Sequence, residues 1–163
     1  MKKALNVGFG GKKIEVEGFE VINLDIRSDI GADIICDGKK LPFEPDTIDL
    51  IYCSHFLEHI SRLELYELMQ NWRMVLKPGG KLLIIVPDLE VACIEVLSGM
   101  TNPATFDILW GAQDYEFNFH KSGFNKNGLI AFLEKYGFKV EKIECLNREL
   151  HCQAVKTEDK YDG

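Results

Sequence analysis

A glycine-rich stretch, Asn6-Val7-Gly8-Phe9-Gly10-Gly11, follows a short apolar run from Ala4 to Val7. A second apolar run, Phe19 to Leu24, ends in a carboxylate, Asp25. Glycines let the backbone take φ > 0 and approach a ligand closely. A carboxylate at the end of the next strand accepts hydrogen bonds from two ribose hydroxyls. Strand, glycine turn, strand and carboxylate make a pattern suited to a nucleoside. The bland alternative is a tight turn followed by an unrelated surface aspartate. Cys53-Ser54-His55 lies just past another apolar run. An imidazole there titrates near neutral pH and suits proton abstraction; otherwise His55 is a partly buried loop histidine. His120 closes a polar-aromatic run that also holds Asp114 and Tyr115. It either binds or deprotonates a substrate, with Asp114 orienting it, or belongs to a solvated loop. His59, in the Leu57-Glu58-His59 turn, reads as structural. Trp110, Tyr115, Phe117 and Phe119 stack a ring or pin their loop to the body, and Trp72 reads as core.

Positioning these groups takes alternating strands and helices, the pattern of an α/β domain with a mostly parallel sheet. Phe9 to Glu20 carries Gly10, Gly11 and Gly18 with poor helical patterning, so the first crossover has room for one helical turn at most. Ile26 to Ala32 is shorter still, which makes Asp33 to Asp37 a short edge strand. Two prolines make Leu41 to Asp46 a loop, and Thr47 to Cys53 reads as a buried strand. Ser61-Arg62-Leu63-Glu64 has capping-box spacing and opens a helix with Leu65, Leu68, Met69, Trp72, Val75 and Leu76 on one face. Lys77 suits the negative end of that helix, and Pro78-Gly79-Gly80 stops it. Lys81 to Val86 is a strand covered on both faces. Asp88 caps a helix through Leu97, and Ser98 to Phe124 is the longest irregular stretch, with a short helix from Ala104 to Trp110. Asn125 caps a final helix over Leu129 to Tyr136, ended by Gly137. Phe138 to Leu146 and Leu150 to Lys156 are joined too tightly for a crossover, so they form an antiparallel hairpin. Residues 1–156 form a single domain on this reading, and 157–163 a flexible tail.

With 163 residues, 46% hydrophobic and 28% charged, the chain is an ordinary globular domain with a real core. Its net charge of −7 argues against a nucleic-acid backbone as the main partner. The five cysteines are scattered among apolar runs, so the expectation is buried reduced thiols and no metal site. Met1-Lys2-Lys3 leads straight into the first strand, and no stretch is long enough to span a membrane. The expectation is a cytoplasmic protein without a membrane partner.

The terminal hairpin discriminates among nucleoside-binding folds. A parallel sheet that finishes with a helix and a reversed strand resembles the S-adenosylmethionine-dependent methyltransferases, whereas a dinucleotide dehydrogenase keeps its last strands parallel. The motifs resemble the same superfamily in order along the chain. Asn6 to Gly11 is similar to its first motif, Asn23-Leu24-Asp25 to its ribose-binding strand end, and Asp37-Gly38 with Leu41-Pro42-Phe43 to its adenine-side segment. Asp49-Leu50-Ile51 and Leu57-Glu58-His59 resemble its fourth strand and the turn after it, and Arg73 to Gly80 its helix-to-strand signature. The stretch leading to His120 and Gly123-Phe124 resembles small bacterial members of the type-11 group, often described as acting in glycan or cell-surface pathways.

The resemblance implies a three-layer α/β sandwich, a mostly parallel seven-stranded sheet with a terminal hairpin. It implies S-adenosylmethionine as cofactor, S-adenosylhomocysteine as product, and a small-molecule or sugar hydroxyl as acceptor. Ligands of open α/β sheets sit beyond the carboxyl ends of the strands. The implied cofactor side is Asn6, Gly8, Phe9, Gly10, Gly11, Asp25, Ile26, Cys36, Asp37, Gly38, Cys53 and Ser54, and the catalytic candidates are His55 and His120. Two features depart from the family pattern: the helix after the glycine motif and the N-terminal helical lid are both missing. Ser98 to Phe124 is the candidate lid, with a second chain in a homodimer as the alternative. Two rival readings remain: a methyltransferase-like subunit without catalysis, and a nicotinamide-dependent reductase.

Overall fold

The sheet is built on β1 (Lys2–Val7), whose last four residues are buried. Its neighbours are β2 (Phe19–Asp25) on one side and β4 (Ile48–Ser54) on the other, both parallel. The computed structural model describes residues 1–158. Beyond β2 the short β3 (Ile34–Ile35) forms the edge, and beyond β4 runs β5 (Leu76–Pro87). The hairpin β6 (Phe138–Leu146) and β7 (Glu149–Lys156) completes the order β3-β2-β1-β4-β5-β7-β6, with β7 antiparallel to both neighbours. This is the expected seven-stranded α/β sandwich with a reversed terminal strand. Among the described residues, no helix is long and apolar enough to cross a membrane.

The two connections too short for helices are held by a side-chain ladder. Asp33 accepts from both the backbone and the side-chain amide of Asn23, at 2.8 Å each. Asn23 in turn accepts from Asn6 Nδ2 at 3.0 Å, and that amide also donates to the Lys12 carbonyl at 3.1 Å. Asn6 and Asn23 are buried. A buried amide left unpaired costs free energy, so such a chain of satisfied groups specifies one loop path. As expected, residues 8–18 contain no helix.

Helix α1 (Leu65–Val75) buries Leu65, Leu68, Met69, Trp72 and Val75, the face its spacing predicts. Its two ends differ from expectation. The Glu64 carboxylate accepts from the Ser61 backbone N–H (3.3 Å), but the Ser61 hydroxyl donates to that same carboxylate (2.6 Å) instead of accepting from the helix. Only half of the capping box forms, and the helix begins at Leu65. At the other end Leu76 is already extended, before the Pro78-Gly79-Gly80 stop. Pairing of Leu76 with Ile48 draws the chain into β5 early, and Lys77 pairs with Asp49 (2.8 Å) rather than with the helix carbonyls.

Helix α2 (Leu89–Ser98) starts on Asp88, which accepts from the Glu90 N–H, and stops at left-handed Gly99. Helix α3 (Pro103–Trp110) carries a full capping box from Asn102 and Thr105. Helix α4 (Lys126–Lys135) is capped by Asn125 and buries Leu129 and Leu133. Thr157 is still anchored, its N–H and hydroxyl both donating to the Gly137 carbonyl. Residues 159–163 of the expected tail lie outside the described residues.

All five cysteines are free thiols. Cys53 and Cys152 are buried, and burial holds the Cys152 thiol up at about 11. Cys93 and Cys145 are exposed, which departs from the expectation of buried thiols. A thiol-reactive dye is therefore expected to label Cys93 and Cys145 in the native protein, and Cys53 and Cys152 only after denaturation. Rapid native labelling of Cys53, read by peptide mass mapping, would contradict this packing.

Candidate functional site

A cleft of about 550 Å³ opens at the carboxyl ends of β1, β2 and β4. That is the size of a small-ligand site and the place such sheets put one. The glycine turn forms one wall. Gly8 and Gly10 have φ of +70° and +56°, the left-handed region that glycine enters without strain. Gly8 has a second reason to be glycine: a Cβ there would stand 2.7 Å from Cδ2 of Phe56. Gly38 on the opposite wall is as tightly constrained, with a Cβ falling 2.6 Å from Phe56 and 2.7 Å from Val7. Phe56 is thus wedged between the two glycine segments. Its ring stacks on Trp72 at 6.0 Å, and the Trp72 indole N–H donates to the Gly38 carbonyl at 2.8 Å.

Asp25 lies at the floor, where the sheet delivers it. Its Oδ2 accepts from the Gly10 N–H (2.9 Å) and its Oδ1 from the Arg27 N–H (3.0 Å). Arg27 Nε also reaches Oδ1, at 3.5 Å, so the carboxylate fixes the glycine turn and Oδ2 keeps acceptor capacity. Asp37 accepts from the Lys39 N–H in a local turn and also faces the cleft. Lys39 reaches Glu64 at 2.6 Å, and this bond, with the Ser61 hydroxyl, lowers the Glu64 carboxyl to about 2.

Of the expected lid, Ser98 to Phe124, only residues from the segment after α3 border the cleft. Tyr115 and Phe117 line the cleft, and the Arg27 guanidinium lies 5.0 Å from the Tyr115 ring centroid. The base of the segment is pinned to the short helical turn Leu57–His59. The N–H groups of Lys121 and Ser122 donate to the Glu58 carbonyl, and the Ser122 hydroxyl to that of Leu57.

The histidines divide the roles differently from the sequence reading. His55 lines the cleft and a neighbouring cavity of about 290 Å³, and holds φ of +52°. Its Nε2 lies 2.9 Å from Glu149 Oε1 and its Nδ1 3.3 Å from Glu58 Oε1. Glu58 above all, together with Glu149, outweighs burial and raises the His55 pKa. His59, expected to be structural, lines the large cleft and places its Nδ1 3.1 Å from the Phe119 carbonyl; burial pushes its pKa down. His120 lines the smaller cavity, is held by the Ile108 carbonyl (2.9 Å), and stands edge-on to His59 at 5.0 Å. Asp114 does not orient it; that carboxylate accepts from Asn118.

Of the expected cofactor-side residues, Asn6, Gly8, Phe9, Gly10, Asp25, Ile26, Asp37, Gly38 and Ser54 line the cleft. Cys53 does not: it is fully buried in β4 and belongs to the hydrophobic core, because alternate strand residues face opposite sides. Gly11 and Cys36 also fall outside the lining. Sequence reasoning missed Phe56, Arg27, Lys39 and Tyr52. Of these, Tyr52 was legible as the residue two before Ser54 on the same face of the strand.

A family model described as a methyltransferase domain matches residues 13–84. A biotin biosynthesis bifunctional protein of Cellvibrio japonicus is 34% identical over 85 residues, 45% of this chain. A sterol 4-C-methyltransferase of Caenorhabditis elegans is 32% identical over 82 residues, 50% of this chain. These matched stretches span only 16% and 24% of the relatives' own lengths. Solved structures agree in fold over nearly the whole chain. A methyltransferase from Methanosarcina mazei described as dependent on S-adenosylmethionine superposes with a TM-score of 0.72 at 18% identity, covering 96% of this chain and 93% of that one. A protein from Pyrococcus horikoshii gives 0.71 at 23% identity, covering 95% and 82%. A 1,6-didemethyltoxoflavin-N1-methyltransferase from Burkholderia thailandensis, solved with S-adenosylhomocysteine, gives 0.66 at 14%, covering 96% and 71%.

Proposed function

We propose that this chain, which has the fold and the sequence signature of the S-adenosylmethionine-dependent methyltransferase superfamily, binds that cofactor in the 550 Å³ cleft and methylates a small-molecule or sugar hydroxyl. The observation that carries the reading is the convergence of Gly8, Gly10, Asp25, Asp37 and Gly38 on one cleft at the strand ends. The donor set suits the group: carboxylates for nucleoside hydroxyls and amines, and a backbone that a ligand can approach closely. Asp25 would take the ribose, Asp37 and Gly38 the adenine side, and Ile26 an apolar ring face. When bound, the cofactor supplies a methyl group on a sulfonium, open to in-line displacement.

This chain's own residues align the acceptor and exclude water. Tyr115 and Phe117 cover the open side from within the same chain, so coverage does not require a second copy. His55, at the junction of cleft and smaller cavity, stands as the acceptor-side residue. Its two ring nitrogens are directed at Glu58 and Glu149, so it borders the acceptor space with its ring held in place by those carboxylates. His120 lines the same smaller cavity.

One observation favours a second reading, a subunit that binds the cofactor weakly and does no chemistry. The stretch after the glycine turn forms no helix, so no helix N-terminus faces the cofactor's carboxylate. Calorimetric titration with S-adenosylmethionine and S-adenosylhomocysteine separates the two. Micromolar binding that falls by at least about tenfold in Asp25→Ala, with NADH silent, is the expected result. Absence of binding by either sulfur ligand to folded protein would remove the enzyme reading.

A further inference from the structure

The Glu58 carboxylate is 1% exposed, and neither of its oxygens has a hydrogen-bond partner among the described residues. A buried carboxylate left this way is costly, and native sites pair both of its oxygens with hydrogen-bond donors or a cation. His55 Nδ1 approaches Oε1 at 3.3 Å, in a contact that falls outside hydrogen-bond geometry; Oε2 is left with no donor. Two imidazoles stand beside the carboxylate. One potential ligand atom from each of Glu58, His59 and His120 lies within 4.8 Å of the other two.

Each imidazole makes the second hydrogen bond that a metal-binding histidine makes. A histidine that binds a metal through one nitrogen characteristically gives its other N–H to a carbonyl or carboxylate. Here His59 Nδ1 meets the Phe119 carbonyl at 3.1 Å, and His120 Nδ1 meets that of Ile108 at 2.9 Å. Both rings are thereby fixed with Nε2 as the lone-pair nitrogen. Two imidazoles and one carboxylate form the donor set of open sites for first-row divalent cations, Zn2+ and Fe2+ among them. Ligand atoms around such an ion stand roughly 3.2–3.6 Å apart, given metal–ligand distances of about 2.0–2.2 Å. Closing from the present spacing takes side-chain adjustments of about an ångström.

We infer that Glu58, His59 and His120 form a binding site for a divalent transition-metal ion of the Zn2+ class, with positions left open toward the cleft. His59 lines the large cleft and His120 the smaller cavity, so the ion would sit in the wall between them. Such spacing escapes sequence inspection, because Glu58 and His59 adjoin on one short turn while His120 comes from the covering segment. That segment is fixed to the turn through the Glu58 carbonyl, so binding would also tie the cover to the body. On the methyl-transfer reading, the open positions face an oxygen donor of the acceptor; metal binding itself does not depend on that reading.

The test begins with protein stripped by a chelator, then titrated with Zn2+ against a competing indicator dye, and with Co2+ read by its ligand-field absorption. One equivalent is expected to bind at micromolar Kd or tighter. Intense visible bands of a low-coordinate Co2+ site should accompany it, with Mg2+ and Ca2+ inert. Glu58→Gln and His120→Ala should each weaken Zn2+ by at least about tenfold. Featureless Co2+ spectra with the folded wild-type protein would overturn the site, as would Zn2+ affinity that survives His120→Ala. S-adenosylhomocysteine titration of the stripped protein runs in parallel. Metal silent with cofactor bound removes only the metal site; metal bound with cofactor silent leaves the site and removes the methyl-transfer reading.

Discussion

Replacing Trp72 by alanine is expected to cost about 3–5 kcal/mol of unfolding free energy and to lower the melting temperature by roughly 6–20 °C. The side chain is fully buried on the inner face of α1. Loss of its volume leaves a cavity that surrounding strands cannot collapse into without disturbing the sheet. The effect goes beyond packing. The indole N–H holds the Gly38 carbonyl at 2.8 Å, and the ring backs Phe56, which is wedged between Gly8 and Gly38. Trp72→Ala therefore frees both walls of the cleft together. Trp72→Phe keeps most of the apolar contact and removes the hydrogen bond, so its cost should fall to about 1–3 kcal/mol, the penalty for an orphaned buried carbonyl. Urea unfolding followed by circular dichroism reads both values. A Trp72→Ala protein within 1 kcal/mol of wild type, a threshold set by ordinary surface substitutions, would show that the helix does not clamp Gly38.

Much of this arrangement is legible in the sequence, for reasons that differ from element to element. The apolar runs of β1, β4 and β5 are legible as central strands, although β5 alternates buried and part-exposed residues instead of being covered on both faces as expected. The hairpin is legible because the link between β6 and β7 leaves no room for a crossover. Asp88 and Asn125 cap their helices through local hydrogen bonds that a sequence spells out, while the Asn102 cap of α3 escapes the sequence reading. The ends of α1 are not legible, because each is decided by a distant partner. Leu76 pairs with Ile48 across the sheet, and Glu64 is shared with Lys39.

The site divides in the same way. Gly8, Gly10 and Asp25 stand in a fixed order at strand ends, so the topology alone brings them together. Cys53 was misplaced because a strand's last residues alternate in facing, and a shift by one position separates the cleft from the core. Residue type alone singles out the histidines, yet their chemistry is set by partners far along the chain. Glu149 comes to His55 from β7, and the carbonyls of Phe119 and Ile108 come to His59 and His120 from the covering segment and α3. Nothing near His55 in sequence, apart from Glu58, announces that its ring nitrogens face two carboxylates.

The second large effect is expected at Gly8. Alanine there must hold φ of +70°, a left-handed conformation that costs an L residue about 1–2 kcal/mol. Its Cβ would also stand 2.7 Å from Cδ2 of Phe56, so the ring or the turn must move. If the ring moves, its contacts with Gly38 and Trp72 loosen; if the turn moves, the Gly10 N–H leaves Asp25. Either path deforms the wall of the cleft, and S-adenosylhomocysteine affinity should fall by at least about 30-fold, equivalent to roughly 2 kcal/mol. Gly11→Ala isolates the conformational part. Its φ is +82°, but a Cβ there meets nothing within 4 Å. That variant should lose stability comparable to the backbone strain alone and bind S-adenosylhomocysteine far better than Gly8→Ala. Pairing Gly8→Ala with Phe56→Ala removes most of the steric part. If crowding by Phe56 carries the effect, the double variant binds better than Gly8→Ala alone despite losing an aromatic wall. Equal losses in Gly8→Ala and Gly11→Ala, measured by the same titration, would mean that backbone strain alone governs the turn and that the Phe56 wedge has no part in shaping the cleft.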